Sequence, residues 1–245
     1  MTQTKHVHIF GIGSGIGKGL YDRFLQDPTV SLFGFSRKGE LPLNTFSKGE
    51  AGTFQFDATD QKDLRSFELS LAGMFGHNVL PSAPFYNRPE LIVYFALGDG
   101  IFGPIDLLKK KELESHFELN VHSLILLSKF YSHHIPFFPN KATFVFLGST
   151  AGKQGFSESV TYCASKHAVL GITRALREEW KPFGTKVVHV SLGAVATEIW
   201  DSRPEFDKNE MVSISDISEY LWSISQLPKS IFVDDLSITP KKGIL

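Results

Sequence analysis

The chain has 245 residues, 42% hydrophobic and 21% charged, with a formal net charge of −1. That is the balance of a folded chain with a sizeable core. No basic block points to a nucleic-acid or membrane-surface partner, and a single cysteine, Cys163, excludes an internal disulfide and a cysteine-based metal cluster.

The first apolar stretch, residues 7–10, is too short for a secretory h-region, and no run approaches the roughly 20 apolar residues of a membrane span. A cytoplasmic setting is therefore expected. The stretch 7–10 predicts a strand and runs directly into Gly11-Ile-Gly-Ser-Gly-Ile-Gly17. Ile16, Leu20 and Phe24 then repeat at helical spacing. Strands are predicted at 30–35 and 53–56, followed by a helix carrying Leu64, Phe67 and Leu71. Residues 77–89, rich in proline, predict a loop. Beyond it the pattern predicts strand 91–96, helix 112–134, strand 143–147, helix 159–180 and strand 186–191. A short helix on Ile217, Leu221 and Ile224 precedes a last strand at 231–238. The strand runs are nearly continuous in apolar residues, as in strands covered on both faces. Alternation of strand and helix throughout implies right-handed crossovers. The expected fold is α/β, one doubly wound parallel sheet with helices on both faces, in a single domain over 1–245.

A glycine turn between a first strand and its helix lets backbone approach a phosphate, and the helix N-terminus favours the anion. In this context the turn, with Gly11, Gly13, Ser14, Gly15, Ile16 and Gly17, points to a dinucleotide. A phosphate loop of the NTPase type is absent. The second strand ends in Ser36 and Arg37 rather than an acid. An acid there would repel a ribose 2′-phosphate, whereas Arg37 can grip it, so NADP(H) is favoured over NAD, which stays possible.

Tyr162 and Lys166 lie four apart on a predicted helix, so phenol and ammonium are neighbours. A fixed positive charge lowers a phenol pKa and brings proton transfer within range. Ser149 follows an apolar strand, at the carboxyl end where open sheets bind ligands, and its hydroxyl can hold a carbonyl oxygen. Singly, a Tyr-x-x-x-Lys pair is a common solvated pair and a serine after a strand a common cap. Their joint occurrence favours chemistry.

With these residues the chain resembles the short-chain dehydrogenase/reductase family over nearly its whole length. Gly11, Gly15 and Gly17 resemble its cofactor turn, and the thirteen-residue step from Ser149 to Tyr162 fits its spacing. The resemblance implies that Asn120, Ser149, Tyr162 and Lys166 are catalytic, with the Asn120 carbonyl anchoring a relay water near Lys166. It implies that Asp57 and Ala58 meet the adenine. Ala96 and Gly98 are implied as cofactor contacts, Gly193, Val195 and Thr197 of Gly193-Ala-Val-Ala-Thr197 as holding the nicotinamide amide, and Tyr162 and Lys166 as also touching the cofactor. Phe10, the Phe95-Ala-Leu-Gly98 stretch and Leu192 depart from the family pattern. The implied activity is interconversion of a small carbonyl compound and its alcohol. The alternative is a cofactor-binding sensor without turnover. Phe156 and Trp200 are candidate substrate walls. No metal is expected, because the histidines, His6 and His8 included, lack visible carboxylate or cysteine partners. A homodimer or homotetramer is expected, paired through helices 112–134 and 159–180.

Overall fold

A computed structural model describes residues 5–43, 51–75 and 89–243. In chain order the elements are β1 (Lys5–Phe10), α1 (Gly15–Phe24), β2 (Val30–Ser36), β3 (Gly52–Gln55), α2 (Gln61–Phe75) and β4 (Glu90–Phe95). There follow α3 (Lys110–Phe117), α4 (Ser123–Ser132), β5 (Ala142–Leu147), α5 (Val160–Trp180), β6 (Lys186–Leu192), α6 (Ile214–Ile224) and β7 (Asp235–Ile238). The seven strands form one sheet in the order β3-β2-β1-β4-β5-β6-β7. Every adjacent pair is parallel.

Strand alternation explains the two cores. In β1, Val7 and Ile9 face one side, His8 and Phe10 the other. The first side is mainly aliphatic: Val7, Ile9, Ile92, Val145 and Val188 pack against Leu20 of α1 and Leu221 of α6. The second is aromatic, where Phe10, Phe35, Phe54, Phe95 and Phe144 meet Phe67 of α2, Tyr131 of α4 and Trp180 of α5. His8 belongs to this layer. It is fully buried, its Nδ1 lies 2.5 Å from the Tyr131 hydroxyl, and burial holds its pKa well below the usual imidazole range. Among the described residues, no group of three or more His, Cys, Asp or Glu side chains could hold a metal ion, and no helix is long and apolar enough to cross a membrane.

Three expectations need correction or limits. The last strand begins at Asp235 rather than 231, because its ladder with β6 starts where Asp235 meets His189. Upstream, Ile231 and Phe232 stay exposed, with the Lys186 ammonium 5.5 Å from the Phe232 ring. The long helix 112–134 starts at Lys110 and is divided by a π-helical turn, Glu118–His122, in which the Ser123 N–H bonds the Glu118 carbonyl. The predicted loop 77–89 lies almost wholly outside the described residues.

Connections leave β1 and β4 in opposite directions across the sheet. A crevice therefore opens at their carboxyl ends, the switch point where doubly wound sheets take ligands.

Candidate active site

That crevice is a cleft of about 1110 Å³, lined by the turn after β1 and the segments after β2, β4, β5 and β6. The glycine turn forms its floor. Gly11 has φ +91°, and a Cβ there would fall 2.6 Å from the Ala96 carbonyl oxygen, so the turn crosses directly over the end of β4. A Cβ on Gly17 would collide with the Gly11 carbonyl oxygen. Gly17 thus serves close helix–turn packing and does not itself line the cleft. Gly13, Ser14, Gly15 and Ile16 do line it. Ser14 makes no side-chain cap bond, and the first turn of α1 holds no acid. The positive end of α1 opens toward the cleft, which suits an anion, with Glu198 Oε2 3.4 Å from where a Gly15 Cβ would sit.

Next along the rim come Ser36 and Arg37. The Ser36 hydroxyl accepts the Lys38 N–H at 3.2 Å. Arg37 is exposed and, among the described residues, has no hydrogen bond or ion pair. Asp57 Oδ1 accepts from the Thr59 N–H at 2.9 Å and hydroxyl at 2.8 Å, which fixes the turn presenting Ala58 to the cleft. On the far side lie Ala96, Gly98, Gly193, Val195 and Thr197. Gly98, at φ +143°, lies against Asn120 and Lys166; a Cβ there would sit 3.5 Å from Lys166 Nζ.

Ser149, Tyr162 and Lys166 converge in the same cleft. Ser149 ends the loop after β5, and its Oγ accepts the Ala151 N–H at 3.1 Å, so it caps a short turn as well as facing Tyr162. Lys166 Nζ lies 5.6 Å from the Tyr162 ring centroid and donates to the Leu147 carbonyl at 3.4 Å. Burial pushes the Lys166 ammonium down to about 8, with Asp99 acting against that shift. Burial also pushes the Tyr162 phenol up, and the Ser149 hydrogen bond only partly opposes it. The lowered phenol pKa expected from the Tyr-x-x-x-Lys spacing is not found in this cleft: desolvation dominates and favours the neutral, proton-donating phenol.

Asn120 sits in the π-helical turn and is buried behind the cleft rather than lining it. Its Oδ1 accepts the Asp99 N–H at 3.0 Å and its Nδ2 donates to the Asp99 carbonyl at 2.9 Å. This orientation turns Nδ2 toward His116 Nε2, 3.1 Å away. His116 Nδ1 lies 2.9 Å from Asp99 Oδ1, and Nε2 also meets at 2.9 Å the Ser165 hydroxyl, which donates to the Tyr162 carbonyl. Asp99, His116 and Ser165 escaped the sequence reading. The available signal was His116 standing one turn before Asn120, on the same helix face. Phe102, Arg203 and Phe206 also line the cleft beside the expected Phe156 and Trp200. No sequence spacing links them, since Phe102 comes from another segment.

A sequence model described as short chain dehydrogenase matches residues 91–208. The chain is 28% identical over 202 residues to an NADPH-dependent 3-dehydrocapnine reductase of Ornithobacterium rhinotracheale, covering 80% of this chain and 67% of that one. It is 38% identical over 156 residues to an NADPH-dependent 1-acyldihydroxyacetone phosphate reductase of Saccharomyces cerevisiae, covering 55% and 51%. The chain thus spans between about half and two thirds of the length of these curated relatives. Among solved structures, an alcohol dehydrogenase from Thermococcus sibiricus complexed with 5-hydroxy-NADP superposes with a TM-score of 0.76 at 18% identity, covering 98% and 97% of the two chains. A structure of ElxO with NADP bound gives 0.75 at 21%, covering 96% and 97%. At such identities these likenesses show the fold. Taken with the sequence matches, they make the chain similar to the short-chain dehydrogenase/reductase family.

Proposed function

We propose that this chain is an NADP(H)-dependent reductase of a ketone or aldehyde, working through Ser149, Tyr162 and Lys166. The observation that carries this reading is that these three side chains open into the same cleft as the glycine turn and Arg37. The residues present fit the cofactor. The Cβ-free turn and the uncapped N-terminus of α1 would hold the diphosphate, and Ser36 and Arg37 the 2′-phosphate. Asp57 and Ala58 would lie at the adenine, and Ala96, Gly98, Gly193, Val195 and Thr197 at the nicotinamide. Both curated relatives are named as NADPH-dependent, which supports the same choice.

When bound, the reduced nicotinamide supplies hydride to the carbonyl carbon. Ser149 holds the carbonyl oxygen, and Tyr162, neutral through burial, gives it the proton. Lys166 stabilises the phenolate left behind and stands ready to return the proton, with the Asn120 carbonyl assigned to the relay water. Tyr162→Phe removes only the transferable proton. It is expected to keep NADPH affinity and lose about 10²–10⁴-fold in turnover. The check is NADPH consumption over a panel of ketones and aldehydes beside a cofactor titration. Near-native turnover in the variant sinks the mechanism, and binding without any consumption favours a sensor.

A further inference from the structure

The substrate half of the cleft is framed by three aromatic rings and one guanidinium. Phe102 lies against the Tyr162 ring, centroids 5.3 Å apart, and stacks on Trp200 at 6.5 Å with 15° between the planes. Trp200 meets Phe206 edge-on at 5.2 Å. The Arg203 guanidinium carbon sits 5.3 Å from the Phe102 centroid and 4.7 Å from that of Phe206. Arg203 is thus held between two rings, one ring removed from Tyr162. Its Nε donates to Glu205 at 3.0 Å, and among the described residues its guanidinium makes no other hydrogen bond. The terminal Nη1/Nη2 edge is left for something else. Of the other acids of this wall, Asp201 is engaged with Lys208 and Asp99 with His116, while Glu198 lies toward Gly15 of the glycine turn.

An arginine clamped by aromatic faces has lost much of its rotamer freedom before a ligand arrives, so less is lost on binding. Its free edge matches the paired oxygens of a phosphate, sulfonate or carboxylate. The rings around it offer an apolar surface of large contact area. We propose that Phe102, Trp200, Arg203 and Phe206 form a substrate subsite for a carbonyl compound bearing an anionic group on an apolar body, with the anion on Arg203 and the carbonyl at Tyr162. This inference rests on the reductase reading. Glu205, its side chain half exposed, holds only the Nε side in a weak surface ion pair and leaves the Nη1/Nη2 edge open.

The test uses a matched pair of ketones, 1-hexadecanoyl-dihydroxyacetone phosphate and the same molecule without its phosphate, at one stated salt concentration. The native enzyme should prefer the phosphate form by about ten- to a hundredfold in kcat/KM, the worth of charge-assisted hydrogen bonds. Arg203→Met keeps an apolar stem between Phe102 and Phe206 and should bring that ratio toward one, mainly through KM, while Arg203→Lys should restore part of it. Equal use of the two ketones by the native enzyme, or equal loss on both in the Met variant, overturns the subsite. Calorimetric titration of each ketone into the protein saturated with NADP⁺ separates this inference from the one beneath it. Phosphate-dependent binding that needs Arg203, without turnover, upholds the subsite and sinks the reductase reading. Binding that ignores the phosphate overturns the subsite whatever the turnover.

Discussion

Lys166 carries a cost in stability that can be measured. Burial holds its ammonium at about 8, whereas an unfolded lysine titrates near ~10.4. Between those values the unfolded chain binds more protons than the folded one, so this residue makes stability rise with pH across that window. Below about 8 its penalty is fully present. Lys166→Met is therefore expected to raise Tm at pH 7 while abolishing turnover, with the advantage shrinking as pH climbs past 8. Melts of both proteins at several pH values check this, and a less stable variant at pH 7 refutes it. Arg37 is the other residue with a separable effect. Arg37→Asp replaces a phosphate partner with a repelling charge and should move the NADPH/NADH affinity ratio toward NADH by about ten- to a hundredfold. An unchanged ratio in cofactor titrations would place the 2′-phosphate elsewhere. At this scale, the glycines, Ser149, Tyr162 and Lys166 were legible because short fixed spacings carry them. Arg203 was not, since its meaning comes from Phe102, a ring that only the fold brings to it.

At the scale of elements, strand positions could be read because strands buried on both faces spell continuous apolar runs. The start of β7 could not, since Ile231 and Phe232 are apolar yet exposed. The π-helical turn was hidden for a related reason: Leu124 through Leu127 hide any one-residue slip in helical phase. That turn sets Asn120 against Asp99, whose N–H and carbonyl fix the amide's orientation, and His116 packs behind both. His116→Leu would remove the buried imidazole's hydrogen bonds to Asp99 and Ser165. A loss of about 1–3 kcal/mol in urea unfolding is expected. A variant as stable as the native chain would show that the network is replaced by other partners.

For the whole molecule we propose a homodimer. Leu124 and Leu127 turn into the chain's own core, but Ile125 and Val160 are 48% and 56% exposed on the two helices expected to pair. Leu107, at 69%, adds to the exposed apolar surface. Such residues are commonly covered by two-fold pairing. Light scattering coupled to gel filtration at micromolar concentration should give twice the 27.3 kDa chain mass, and a monomer mass would refute it.

The sheet order has a consequence in time as well as space. β1 lies inside the sheet, yet one of its two neighbours, the central β4, pairs Glu90 with Lys5 and so comes far later in the chain. During synthesis β1 can meet β2 early but keeps one edge bare until β4 emerges, and bare edges invite pairing with other chains. Closing that long loop precedes any reward from the contacts it makes, which slows folding. The floor of the cleft, where Gly11 crosses the end of β4, is thus assembled only once this distant pairing is made. Binding competence arrives late in folding, and a ligand can select only chains that have already completed the centre of the sheet.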